Sequence, residues 1–537
     1  MFRKYFCYFL FVIFFTGISF LAMAQLNLVQ RSLLPFPGQR LAGVWHYVDP
    51  LNHEYALVGT EHGISIVDVT NPDLPVFILQ IPGISNKWHE IKTWVTYAYA
   101  TTEGTDSLGI KDGLQIIDLR YLPDSAPAHY WHGDGTIAGQ LHRAHTVTVD
   151  NGFVYINGHD VYRLHSGVII ADLNDPWNPH YVGADTLNYC HDSFVRGDTL
   201  WASELWAGQL AVYNISNRAN PVLLATQPTP GAFNHNAWLS DNSRVLFTTD
   251  ERNHAPLASF DVSDFNNIEL LDKYSVMHVV DSNQWDVVHN VRVLNDFLIN
   301  ACYGSQITLV DAAHPENLVE VGNFPMPTAL AWDVDPFLPS GNILATGQTT
   351  GLYVLTPTYV RACYLEGSVT DSLTAIPLNN VLVQILSTVV KDSTKFTGNY
   401  KTGYLLAGTY RVRFSKPGYF SKIISGVILQ NGVLTTVNTQ LVRDFTSIEE
   451  LNSTVPVSVF PDPFCESTQM AIDEKFFKGN QSLSVLIKDA TGRLVKKISH
   501  VISSPVKIAR EKLGNGMYFY ELRNETDVVA KGKFIIQ

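Results

Sequence analysis

Through the first two thirds of the chain, apolar and polar positions follow one recurring phrase. A Gly is followed by an alternating apolar run, an Asp and a Pro-containing turn. It reads Gly63-Ile-Ser-Ile-Val-Asp68 with Asn71-Pro72 and Pro75, then Gly113-Leu-Gln-Ile-Ile-Asp118, then Gly167-Val-Ile-Ile-Ala-Asp172 with Asp175-Pro176 and Pro179. Weaker copies are Gln209-Leu-Ala-Val-Tyr-Asn214, Leu257-Ala-Ser-Phe-Asp261, Gln306-Ile-Thr-Leu-Val-Asp311 and Gly351-Leu-Tyr-Val-Leu355. The seven copies recur every 42 to 54 residues. Period-two alternation rich in Val, Ile and Tyr predicts strands. A repeat of this length predicts one four-stranded propeller blade per copy.

Each copy lies third in a unit ordered inner, second, third and outer strand. The seventh unit stops at Leu355-Thr-Pro357 without an outer strand. Leu28-Val-Gln-Arg-Ser-Leu-Leu34 is the expected replacement, because pairing the first strand with the last blade removes two open sheet edges. The expected fold class is all-β: a seven-bladed β-propeller over 25–358, followed by two small β-sandwich domains. The repeat phrase resembles the LVIVD repeat, and the stretch 26–357 resembles the choice-of-anchor B family of exported bacterial propellers. That resemblance implies a surface or extracellular location and no established reaction.

Past residue 360 the pattern changes to short alternating strands with turn residues between them. Leu365-Glu-Gly-Ser-Val-Thr-Asp371, Gly408-Thr-Tyr-Arg-Val-Arg413 and Lys416-Pro-Gly-Tyr419 resemble the carboxypeptidase regulatory-like, transthyretin-type sandwich, expected over 361–442. The simplest role for such a module is a spacer. A linker is expected over 443–456. Val459-Phe-Pro-Asp-Pro-Phe464, Ile487-Lys-Asp-Ala-Thr-Gly-Arg-Leu494, Gly516-Met-Tyr-Phe-Tyr520 and Gly532-Lys-Phe-Ile-Ile536 then follow in order. They resemble the type A sorting domain of the type IX secretion system of Bacteroidetes, expected over 457–537. Asp462 stands where that family usually has Asn. The resemblance implies the type IX machinery as a partner, outer-membrane export, removal of the domain, and attachment or release.

The N-terminus supports export. Arg3 and Lys4 precede an apolar run from Tyr5 to about Leu21, and Ala22-Met23-Ala24 supplies small residues for cleavage. This predicts a signal peptide over 1–24. A retained anchor is the other reading of the run; no other stretch is apolar enough to span, so a membrane enters only through export or surface anchoring. The net charge of −13 argues against a nucleic-acid partner. Cys190, Cys302, Cys363 and Cys465 are too scattered for a disulfide framework or a structural zinc site.

Candidate chemistry sits where the inner strands begin. His89-Glu90, His145-Thr146, His191-Asp192, His235-Asn236 and His289-Asn290 recur there, and Trp45-His46 and Trp332-Asp333 take the remaining two places. Ring closure is expected to bring all seven starts to one channel mouth, aromatic at Trp45 and Trp332 and polar at the His side. The loops joining second and third strands add Glu61, Glu103, Glu204 and Glu251 on the same face. No cofactor signature is present. His and carboxylates together suit a divalent metal, with His191, Asp192 and His235 as candidate ligands. A surface glycan or protein ligand is the other binding reading, and the structural reading is one polar residue per blade bonding its neighbour's backbone. Gly-x-Ser-x-Gly, Walker and His-Glu-x-x-His motifs are absent. A binding or scaffolding propeller is therefore expected, with a hydrolase or lyase at the channel mouth as the alternative. The third-strand Asp68, Asp118, Asp172 and Asp311 are expected to cap turns.

Overall fold

A computed structural model of the protein describes residues 26–105, 113–162, 166–276, 286–304, 306–326, 330–444, 457–477, 482–524 and 528–537. The expected leader and nearly all of the expected linker lie outside them. The described chain separates into two units, one holding the propeller with most of the second module and the other holding the terminal domain with Lys416–Phe420.

Seven antiparallel sheets of four strands form the propeller. Blade 1 runs Leu41–Val48, Glu54–Thr60, Gly63–Asp68, Val76–Pro82, from inner to outer strand. Blades 2 to 6 repeat this order, with inner strands His89–Trp94, Thr146–Asp150, Asp192–Arg196, Asn234–Leu239 and Val288–Leu294. Blade 7 consists of Ala331–Asp335, Ile343–Gly347 and Gly351–Pro357, with Leu28–Leu34 as its outer strand. That closing strand pairs from Leu28 opposite Pro357 to Leu34 opposite Leu352. Arg31 fastens it further through a bidentate contact with Asp73 of blade 1, at 2.6 and 2.7 Å.

The repeat phrase has a physical reason at each end. Its Gly starts the third strand, where the outer strand crosses closely. A Cβ on Gly63 would lie 2.1 Å from the Ile81 carbonyl, and one on Gly351 would lie 2.2 Å from the Leu34 carbonyl; both have positive φ. Its Asp caps the following turn. Asp68 accepts from the Thr70 N–H at 2.9 Å, Asp118 from Arg120 at 3.0 Å, Asp172 from Asn174 at 3.2 Å and Asp311 from Ala313 at 3.1 Å.

Second and third strands are buried on both faces, while most outer strands are exposed. The outer strand of blade 6, Val319–Pro325, is the buried one. Ala362, Tyr364 and Leu405 of the second module pack into its hydrophobic cluster. Asp311 fixes this junction by accepting from the Ala362 N–H at 2.7 Å and from Arg361 at 2.7 Å. The second module is a sandwich. Cys363–Asp371 lies between Asn399–Tyr404 and Leu434–Thr436 in one sheet, and Leu382–Ile385 and Gly408–Ser415 form the centre of the other.

The terminal domain also has two sheets, built around Ser467–Ile472 and around Leu483–Lys488 with Gly516–Arg523. They enclose Met470, Val485, Ile487, Ile508, Leu522 and Phe534. Asp462, the departure from the expected Asn, accepts the Ile535 N–H at 2.7 Å. An Asn carbonyl oxygen accepts the same bond, so either residue serves there.

Candidate functional site

A cavity of about 350 Å³ runs down the middle of the ring. Backbone irregularity decides which side chains reach it. Residues 234 and 236 of blade 5 oppose consecutive residues 250 and 249, so His235 bulges out of the ladder. His289 and Trp332 are bulged in the same way. A bulge puts two successive side chains on the channel side, where strict alternation allows one. His235 with Asn236, His289 with Asn290, and Trp332 therefore all line the cavity, while Asp333 lies fully buried behind the wall. His145-Thr146 and His191-Asp192 do the same, with each His preceding its strand.

Blade 2 differs, and the expectation for His89 is corrected. Its inner strand pairs without a bulge, His89 opposite Thr102 and Glu90 opposite Thr101. Alternation then sends Glu90 to the channel and His89 away from it, where its ring lies against Gly83. Trp88 takes the vacated place, its ring 6.3 Å from that of His145. Trp45 is corrected as well. Residues 42 and 43 form the irregular part of the blade 1 inner strand, which puts Ala42 beside Trp332 at the rim. Trp45 lies deeper, 6.5 Å from Trp238 and 5.7 Å from Phe337. The mouth keeps an aromatic side, made by Trp88, Tyr303 and Trp332. Two loop carboxylates also fall elsewhere. Glu204 is buried beneath Asn188, Gln209 and Tyr213, and Glu61 faces a separate hollow with Phe36 and Arg40.

Three layers result. At the rim His145, His191, His235 and His289 form a row with ring centroids 4.0, 4.3 and 4.1 Å apart, ending on Trp332 at 4.9 Å. Burial first, then the neighbouring imidazoles, push His191 and His235 well below the usual histidine range. Burial holds His289 down at about 4. His145 goes the other way. Burial lowers it, but Glu103, 3.0 Å from its Nδ1, outweighs burial and leaves it raised. Glu251 joins the rim with its Oε1 held by the Tyr303 hydroxyl at 3.0 Å.

The middle layer is acidic. Asp333, fully buried, accepts from Arg292 at 2.8 Å, Asn290 at 3.0 Å and the Val44 N–H at 3.2 Å. Asp192 accepts from Asn236. Glu90 accepts from the Trp332 indole at 3.2 Å. Burial, then the Asp333 charge, raise Glu90 to about 7. The third layer mixes cations and rings. Lys92 Nζ lies 4.3 Å from the Trp45 ring centre, and the Arg292 guanidinium 4.9 Å from that of Trp238.

The interblade bonds expected of the His residues come largely from threonines. Thr101, Thr146 and Thr249 donate to the carbonyls of His145, His191 and His289 at 3.1, 2.7 and 2.8 Å. His289 makes such a bond through its own ring, Nδ1 to the Trp332 carbonyl at 2.6 Å.

Comparisons with known proteins bear on the two C-terminal modules. Residues 364–442 match the carboxypeptidase regulatory-like domain, and residues 458–537 match the secretion system C-terminal sorting domain. The terminal domain is an export signal. It engages the type IX secretion machinery and directs the chain to the cell surface or the medium. No curated protein matches the chain. Among solved structures, the WD40 β-propeller domain of Doa1 is similar at 9% identity and a TM-score of 0.43, over 62% of this chain and 97% of that one.

Proposed function

We propose that this is an exported binding propeller whose ligand is a small polar molecule, such as a terminal glycan unit, held in the central channel. One observation carries the reading: the cavity combines aromatic faces with buried charges of both signs. Trp45, Trp238 and Phe337 offer stacking surfaces, while Glu90, Asp192, Lys92 and Arg292 offer donors and acceptors. A mostly apolar wall with a few convergent polar groups is the usual make-up of a small-molecule site, and 350 Å³ lies at the lower end of the usual size range. The resemblance of the repeat phrase to the LVIVD, choice-of-anchor B propellers supports a surface location. The second module serves as a spacer, and the leader at 1–24 supports passage out of the cytoplasm.

The full chain tested on a glycan array tests the channel. A bound glycan whose affinity falls at least tenfold in Trp238→Ala and Glu90→Gln, with both variants folded, supports the reading. A glycan or protein partner bound equally by both variants overturns the channel assignment. Intact mass tests the export route. Protein recovered from the native host begins near Gln25 and lacks most of the stretch after about 453; a surface form that retains Gln537 overturns removal of the sorting domain.

A second reading has its own support. A carboxyl raised to about 7 beside Asp333 holds or releases a proton near neutral pH. That favours a hydrolase or lyase with Glu90 as acid or base. Turnover of a bound glycan that is lost in Glu90→Gln while binding persists decides for it.

A further inference from the structure

The rim of the channel holds a donor set that the polar-ligand reading does not use. His191 and His235 lie on adjacent blades with ring centroids 4.3 Å apart. Each can place a ring nitrogen within 4.8 Å of the other's and of a Glu251 carboxylate oxygen. The two imidazoles are 6% and 4% exposed, and the Nδ1 of each is buried without a hydrogen-bond partner. An unpartnered polar atom in such a place is costly, so a native fold that keeps two of them side by side calls for an occupant.

We propose that His191, His235 and Glu251 bind one divalent transition-metal ion of the zinc class, leaving a fourth position for water or a ligand. Two imidazoles and a carboxylate with one open position suit that ion. A tetrahedral ion about 2.0–2.2 Å from each donor holds the donors roughly 3.4 Å apart, so donors now within 4.8 Å of one another close by at most about 1.4 Å on binding.

The surroundings fit. Glu251 is steadied by the Tyr303 hydroxyl, as ligating carboxylates commonly are. The flanking histidines are engaged elsewhere, His145 with Glu103 and His289 with the Trp332 carbonyl. Asp192 is replaced by Glu251 as the third ligand, because its carboxylate faces the middle layer and Asn236.

The test uses the full chain, stripped with a chelator and dialysed, with zinc sulfate alone as the probe. Titration calorimetry and elemental analysis should find one zinc per chain. His191→Ala, His235→Ala and Glu251→Gln should each weaken binding by about 10- to 100-fold. His145→Ala should leave affinity within about twofold. Cobalt(II) should give the visible absorption of a four-coordinate ion, lost in Glu251→Gln. Melting temperatures show which variants fold; should the histidine variants not fold, Glu251→Gln and the cobalt spectrum decide. A stripped chain that takes up no zinc, or one whose affinity survives Glu251→Gln with no cobalt signature, overturns the site. Zinc uptake is read without glycan and glycan binding with chelator present, so either reading can fail alone.

Discussion

The Trp332 indole N–H reaches Glu90 Oε1 at 3.2 Å, joining blade 7 to blade 2 across the face of blade 1. Blade 1 permits this because its residues at that level are Ala42 and Gly43. A Cβ on Gly43 would lie 2.4 Å from Glu90 Oε2 and 3.1 Å from the His89 carbonyl.

Gly43→Ala should therefore displace the Glu90 carboxyl and break its bond to Trp332. The expected loss is about 1–3 kcal/mol, the usual cost of overpacking a filled interior. Thermal denaturation measures it, and the Trp332 fluorescence should shift as its N–H loses its partner. A melting temperature equal to that of the parent chain would show that the space is larger than the structure gives.

Glu90 also sets a pH dependence. Its folded pKa, about 7, lies above the ordinary glutamate value, so the folded chain holds a proton that the unfolded chain has released. Its contribution is fully present below about pH 4.3, the ordinary value, and is lost as pH rises through 7. The whole change is on the order of 3–4 kcal/mol. Glu90→Gln, which can still accept from Trp332, should flatten the melting temperature between pH 5 and about pH 8. Parallel curves for the two chains would exclude Glu90 as the titrating group.

Arg292 is the main cation against Asp333, and both are buried. In Arg292→Met, Asp333 would keep Asn290 and the Val44 N–H but lose its counter-charge. The expected cost is about 3–5 kcal/mol, with part recovered when Asp333→Asn is added. Denaturant titration of the single and double variants measures the coupling; strictly additive losses would argue against a direct pair.

Removal of residues 26–36 takes away the outer strand of blade 7 and the Arg31–Asp73 contact. It opens the edge of Gly351–Pro357 and takes Leu28, which is 1% exposed, out of the core it shares with Tyr353 and Leu355. The shortened chain should be recovered largely aggregated, or melt more than about 5 °C lower. Unchanged solubility and melting would mean that the ring closes without this strand.

The blade count, the strand order, the closing strand and the turn-capping Asp residues were legible in the sequence. Each depends on local chemistry: alternation, a Gly where strands crowd, an Asp before a turn. The two C-terminal modules were legible through their resemblance to known domain families. The channel was only partly so. His89-Glu90 and His191-Asp192 read alike as sequence, yet His191 reaches the channel and His89 turns away. The difference is one residue of bulge, which is set by hydrogen-bond register against the neighbouring strand and leaves no mark in composition. Trp45 was displaced from the rim by an irregularity of the same kind at Ala42 and Gly43. Glu251 and Asp192 were both visible as carboxylates near histidines. Which one meets His191 and His235 depends on where a loop between strands ends in space, and only the closed ring decides that.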